Sequence, residues 1–188
     1  MVNGHLLPIC ARDTGIYLGI FSSLIFLLIV KRKQFSMIPS IKISLILLLF
    51  LFPLIIDGFS SYAGIYTTTN EIRIITGLLF GVSLPFFIIP LFSFSPIREK
   101  PIPVITSIFE VFTPLLLASI LGVLTYFSIV SYIIIQGLII GTLLIWLSLL
   151  FYLYFKRIKK KNLSVIFSIC SSVLLLTIFS YIHSVISL

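Results

Sequence analysis

The chain alternates long apolar stretches with short polar or basic connectors. Six apolar runs can be marked, at roughly 14–30, 38–56, 72–92, 104–127, 132–155 and 163–187. A helix needs about 20 mostly apolar residues to cross a hydrocarbon core about 30 Å thick, and each run approaches or exceeds that length. The pattern predicts six membrane-spanning helices and so an all-α polytopic integral membrane bundle. No connector is long enough for a soluble domain, so residues 1–188 read as one membrane domain, with three spans in 1–92 and three in 93–188. Pro53 in the second run, Pro85 and Pro90 in the third and Pro114 in the fourth should each bend a helix by removing a backbone hydrogen bond. The carbonyls so freed must find partners in neighbouring helices or water.

Composition supports this reading. The 188 residues are 60% hydrophobic and 10% charged, and mean hydropathy is +1.28. A soluble domain is nearer half apolar and a quarter charged. Surface of this kind must face lipid, which excludes a soluble enzyme, a nucleic-acid-binding domain and a disordered tail. The net charge of +8 is a topology signal, because it is segregated. Lys31, Arg32, Lys33, Lys42, Arg98, Lys100, Lys156, Arg157, Lys159, Lys160 and Lys161 flank or fill the odd-numbered connectors. Less Glu99 and Glu110, they leave that side at +9; on the other side Arg12 and Arg73 against Asp13, Asp57 and Glu71 leave −1. Short basic loops stay in the cytoplasm, so both termini are expected outside, in a prokaryotic cell membrane. Anionic lipid is the expected partner of the basic connectors, and nucleic acid is not. The first run ends in Lys31-Arg32-Lys33, and Arg12 is offset by Asp13; that reads as an outside-to-inside helix and not as a cleaved signal peptide. Asn162-Leu163-Ser164 matches a glycosylation sequon, but on the cytoplasmic side it reads as chance. Cys10 and Cys170 are too few for a disulfide framework.

Three G-x-x-x-G pairs mark close helix contacts: Gly15/Gly19, Gly77/Gly81 and Gly137/Gly141. Small residues let membrane helices approach where lipid provides no hydrophobic force between them. The pairs fall in the first, third and fifth spans, which are therefore expected to form the inner bundle. The same faces could instead seat a second copy.

Polar residues gather at the predicted outer end. Cys10, Arg12 and Asp13 open the first span, Asp57 closes the second, and Asn70, Glu71 and Arg73 lead into the third. Each has a structural explanation. Asp13 or Thr14 could cap the first helix and Asn70 the third, with Glu71 favoured by the helix dipole and Arg73 paired to Asp57 or Asp13. As a group they could be a site, since charges near membrane depth tend to be paired and are often functional. Glu110, placed about two turns inside the fourth span, roughly 10 Å, is the candidate intramembrane acid. It could handle protons or cations, or snorkel to the inner basic residues. His183 near the end of the sixth span reads as incidental, Cys170 as a small packing residue, and Gln136 as an interhelical bond.

Residues 3–19, NGHLLPICARDTGIYLG, followed by Ile56-Asp57-Gly58 and by Arg73-Ile74-Ile75-Thr76-Gly77-Leu78-Leu79-Phe80-Gly81, resemble the elements of a family of small prokaryotic membrane proteins, domain of unknown function 2085. The resemblance covers about residues 3–82. The family's upstream Cys-His-Gln segment has no counterpart here, and the second cysteine of its C-x-R-C element is Asp13. A full set of those groups would imply a zinc or thiol-redox site. What stands here is His5, Cys10 and Asp13, which could supply three ligands of mixed hardness to a divalent metal ion. No activity comes with the resemblance.

Two readings follow. In the first, the first three spans build an outward-facing site for a metal or polar ligand, conceivably catalytic, from Cys10, Arg12, Asp13, Asp57, Asn70, Glu71 and Arg73. In the second, the protein is a non-enzymatic subunit, assembly factor or small transporter, and its outer charges hold helices together.

Overall fold

A computed structural model of the chain describes residues 9–29, 38–92, 103–155 and 161–186. Its regular structure is helical: α1 (Ala11–Ile29), α2 (Ile41–Leu49), α3 (Phe52–Tyr62), α4 (Asn70–Phe92), α5 (Phe109–Tyr126), α6 (Tyr132–Phe155) and α7 (Lys161–Ile186). With α2 and α3 taken together, six helical segments among the described residues are long and apolar enough to span a membrane. Their bounds lie within a few residues of the sequence expectation, except that the second continues to Tyr62 and the fourth starts only at Phe109.

Pro53 explains why that second span is two helices. It stands at the start of α3, where its missing N–H costs nothing. One turn earlier its ring would meet the carbonyl of Leu49, and Leu49 is the last residue of α2. By contrast Pro85 and Pro90 lie inside the continuous α4, fully buried, and Pro114 lies inside α5.

The chain divides into two compact units, Met1–Ile139 and Ile140–Leu188, with the division inside α6. The first unit is built on α1 and α4, whose spans are 56% and 50% buried, so these two are its inner helices. Their glycines set the approach. A Cβ on Gly19 would come within 2.6 Å of the Leu78 carbonyl oxygen and 2.7 Å of the Val82 nitrogen. One on Gly15, Gly77 or Gly81 would strike the backbone oxygen of Ile74, Arg12 or Ile16. Ser23 Oγ adds a hydrogen bond across this seam to the Val82 carbonyl at 2.8 Å. Leu18, Phe26, Leu78, Val82 and Phe86 continue the contact into a core that also takes in Ile43 and Leu47 of α2 and Val111 and Ala118 of α5.

The third expected inner helix is not one. Cβ atoms on Gly137 and Gly141 would meet nothing within 4 Å. The helix that packs on both α1 and α4 is α5, which has no G-x-x-x-G pair but presents Gly122, whose Cβ would crowd Leu78. The start of α6 instead sets Ile135 and Ile139 against Ile9 and Tyr17.

In the second unit, the rest of α6 meets α7 through a serine pair and a ring contact. Ser164, Ser168 and Ser172 recur every four residues and are buried, and Ser172 shares a 2.8 Å hydrogen bond with Ser148. Phe155 and Phe167 pack at 5.9 Å between ring centroids. Cys170 is exposed beside this contact and is not the buried packing residue expected of it.

Candidate functional site

The expected polar residues do share one end of the first unit, at the starts of α1 and α4 and the middle of α3. They do not form one cluster there; each group bonds separately.

The most buried is Asp57, 1% exposed and the only buried residue of α3. Its Oδ2 accepts from Arg12 Nε at 2.8 Å and Arg12 Nη2 at 2.5 Å. The Tyr66 hydroxyl lies 3.4 Å from its Oδ1. The single proton of Thr76 Oγ1 faces both Asp57 Oδ2 at 3.5 Å and the Arg73 carbonyl at 3.2 Å. The partner of Asp57 is therefore Arg12 and not Arg73. Arg73 Nε donates to Thr68 Oγ1 at 2.5 Å, because the turn that starts α4 carries Thr68 back over it.

Cys10 and Asp13 form a second group. Helix α1 begins one residue after Cys10, so the cap position belongs to Cys10 and not to Asp13 or Thr14. The Cys10 carbonyl accepts from the Thr14 N–H at 3.0 Å, and its Sγ accepts from the Asp13 N–H at 3.4 Å. The thiol donates to Asp13 Oδ2 at 3.1 Å. Burial pushes the Cys10 thiol above its ordinary range and the Asp13 carboxylate adds to this, outweighing the helix-start N–H groups that favour a thiolate.

Glu71 makes a third group. It lies in the first turn of α4, where the dipole favours an acid, and its Oε1 accepts from the Tyr126 hydroxyl at the end of α5. The residue before the helix is Thr69, whose carbonyl accepts from the Arg73 N–H at 3.1 Å and whose Oγ1 is 3.5 Å from the Ile72 N–H. Thr69 thus takes the capping place expected of Asn70, which is exposed at the first helical position.

Glu110 is placed differently from expectation. It sits in the first turn of α5, not two turns in, because the segment before Phe109 is not helical. Its carboxylate accepts from the Thr106 N–H at 3.0 Å and the Thr106 hydroxyl at 3.1 Å, closing the end of the helix.

Among the described residues no three of His, Cys, Asp and Glu come together to hold a metal ion. Cys10 and Asp13 are adjacent, but His5 lies outside the described residues, as does the side chain of His183. Thr68 and Thr106 had no role in the sequence reading, and neither did the two tyrosine partners, Tyr66 and Tyr126. The signal for both tyrosines was the topology, which puts the second connector and the end of the fourth span at the same face as Asp57 and Glu71.

Comparison with known proteins supports the family resemblance. A family model described as "Predicted membrane protein (DUF2085)" matches residues 1–87. A protein of Methanocaldococcus jannaschii described as "Uncharacterized protein MJ1492" is 34% identical over 97 residues, which are 52% of this chain and 60% of that protein. An "Uncharacterized protein" of Methanothermobacter thermautotrophicus is 36% identical over 81 residues, 43% of this chain and 68% of that protein. The chain thus spans about 60% of the length of the first of these relatives. No solved structure matches. Six spans and archaeal relatives describe a multi-pass protein of a prokaryotic cell membrane, and the chain belongs to the DUF2085 family of predicted membrane proteins.

Proposed function

We propose that this is a non-enzymatic multi-pass membrane protein, a subunit or assembly factor, whose charged end faces outside and clasps its spans together. The basic connectors then lie in the cytoplasm against anionic lipid. One observation carries the reading: Arg12 of α1 bonds twice to the buried Asp57 of α3. Little else of α3 is buried, since Phe52, Ile55, Ile56, Phe59 and Tyr62 are all exposed. Helix α3 also lies on α4, and the one side chain it buries fully is this carboxylate. The reading of the charged end as a metal or polar-ligand site draws less support. Its acids have different partners, Arg12 for Asp57, Tyr126 for Glu71 and Cys10 for Asp13.

The test is a thermal-unfolding series in detergent. Removing one member of a buried pair leaves the other charge uncompensated, at a cost of about 3 kcal/mol. Asp57→Asn and Arg12→Gln should each lower stability on that scale, and the double variant should lose clearly less than the two together. Unchanged melting of both single variants would overturn the clasp and favour the ligand-site reading in its place.

A further inference from the structure

Between α4 and α5 the first unit carries a groove of about 240 Å³, with Glu71 and Tyr126 at one end. Its walls are apolar: Ile75, Leu79, Leu115 and Val123 are among them, and Ser119 is the one further polar side chain of the lining. Glu71 is exposed. Its side-chain hydrogen-bond partners are hydroxyl groups, and among the described residues it makes no ion pair, the one such pair being Arg12 with Asp57. A carboxylate has about four acceptor positions; the Thr69 and Tyr126 hydroxyls and its own backbone N–H take up part of that capacity. The result is an exposed carboxylate without an ion-pair partner at the head of an apolar trough. Charge at membrane depth is costly until paired.

We propose that this groove binds an amphiphile of the surrounding bilayer with a protonated amine head and one alkyl chain. The amine pairs with Glu71, and the chain lies along α4 from Glu71 toward Leu79, about 12 Å at 1.5 Å per residue. Charge selects the head: a phosphate or carboxylate would be repelled by Glu71. Size selects the tail, because a partner helix is 10–12 Å across and needs a broader seat than 240 Å³. The proposal uses the Arg12–Asp57 clasp only in that it holds Arg12 away from Glu71.

The experiment uses the full chain in a neutral detergent, with retention of dodecylamine, dodecanol and dodecanoate read by native mass spectrometry. Dodecylamine should bind near one per chain and about tenfold more tightly than dodecanol, the scale of one charge-assisted hydrogen bond; dodecanoate should not be retained. Glu71→Gln should bring the amine down to the level of the alcohol. Ser119→Phe, which fills the trough and leaves Glu71 in place, should reduce both. Equal retention of amine and alcohol by the wild-type chain, or an amine preference that survives Glu71→Gln, would overturn the proposal. So would undiminished binding by Ser119→Phe.

Discussion

Of the acidic residues described, three stand in the first turn of a helix: Asp13 in α1, Glu71 in α4 and Glu110 in α5. There the unpaired N–H groups and the dipole favour a carboxylate. Asp57 alone lies in the body of a helix, and it alone is buried. That contrast separates an end-capping acid from a clasping one, and a list of polar residues does not contain it. Cys10 offers the residue-scale test. Deprotonation would put a second negative charge beside Asp13, so the thiol form is favoured and thiolate is scarce at neutral pH. In a Cys170→Ser background, alkylation of Cys10 should rise with pH through a midpoint above the ordinary thiol range. Asp13→Asn should lower that midpoint; an unmoved profile would remove Asp13 as a cause.

Glycine spacing predicts contact only where a partner backbone is aligned to receive it. The pairs in α1 and α4 face each other, and each excludes a side chain on the other helix. The pair in α6 has the same spacing and no such neighbour. Helix α6 is apolar on every side, so its sequence carries no direction. Gly77→Ala or Gly81→Ala should therefore lower stability in detergent by about 1–3 kcal/mol, the usual cost of overpacking. Gly137→Ala and Gly141→Ala should be neutral, or gain up to about 1 kcal/mol of helix propensity. Equal losses at Gly77 and Gly137 in thermal unfolding would refute this assignment of the inner seam. The second span gives a different case: a bend was expected at Pro53 as at Pro85, Pro90 and Pro114, and only at Pro53 does the helix divide.

For the whole molecule, the charge distribution predicts orientation. With spans alternating in direction, eleven of the thirteen basic residues are expected on one side, and short basic loops stay in the cytoplasm. With Cys170→Ser as background, a membrane-impermeant thiol reagent should label Cys10 in intact cells. Labelling only after lysis would reverse the orientation, and the clasped end would then face the cytoplasm.

The sequence by itself determined the number of spans, the family, the residues gathered at one end and most span bounds to within a few residues, though not the end of the second span or the start of the fourth. These depend on runs of like residues and on local sterics, because lipid requires every backbone group to be satisfied within its own helix. The tertiary structure alone decided the pairings. Arg12 reaches Asp57 across 45 positions and Tyr126 reaches Glu71 across 55; one partner of each is named by no periodicity. It also decided that α5, and not α6, completes the packing around α1 and α4. In lipid an apolar helix face gains little from one apolar neighbour over another. Close backbone approach and a few buried polar bonds therefore select the arrangement, and both exist only once the helices are side by side.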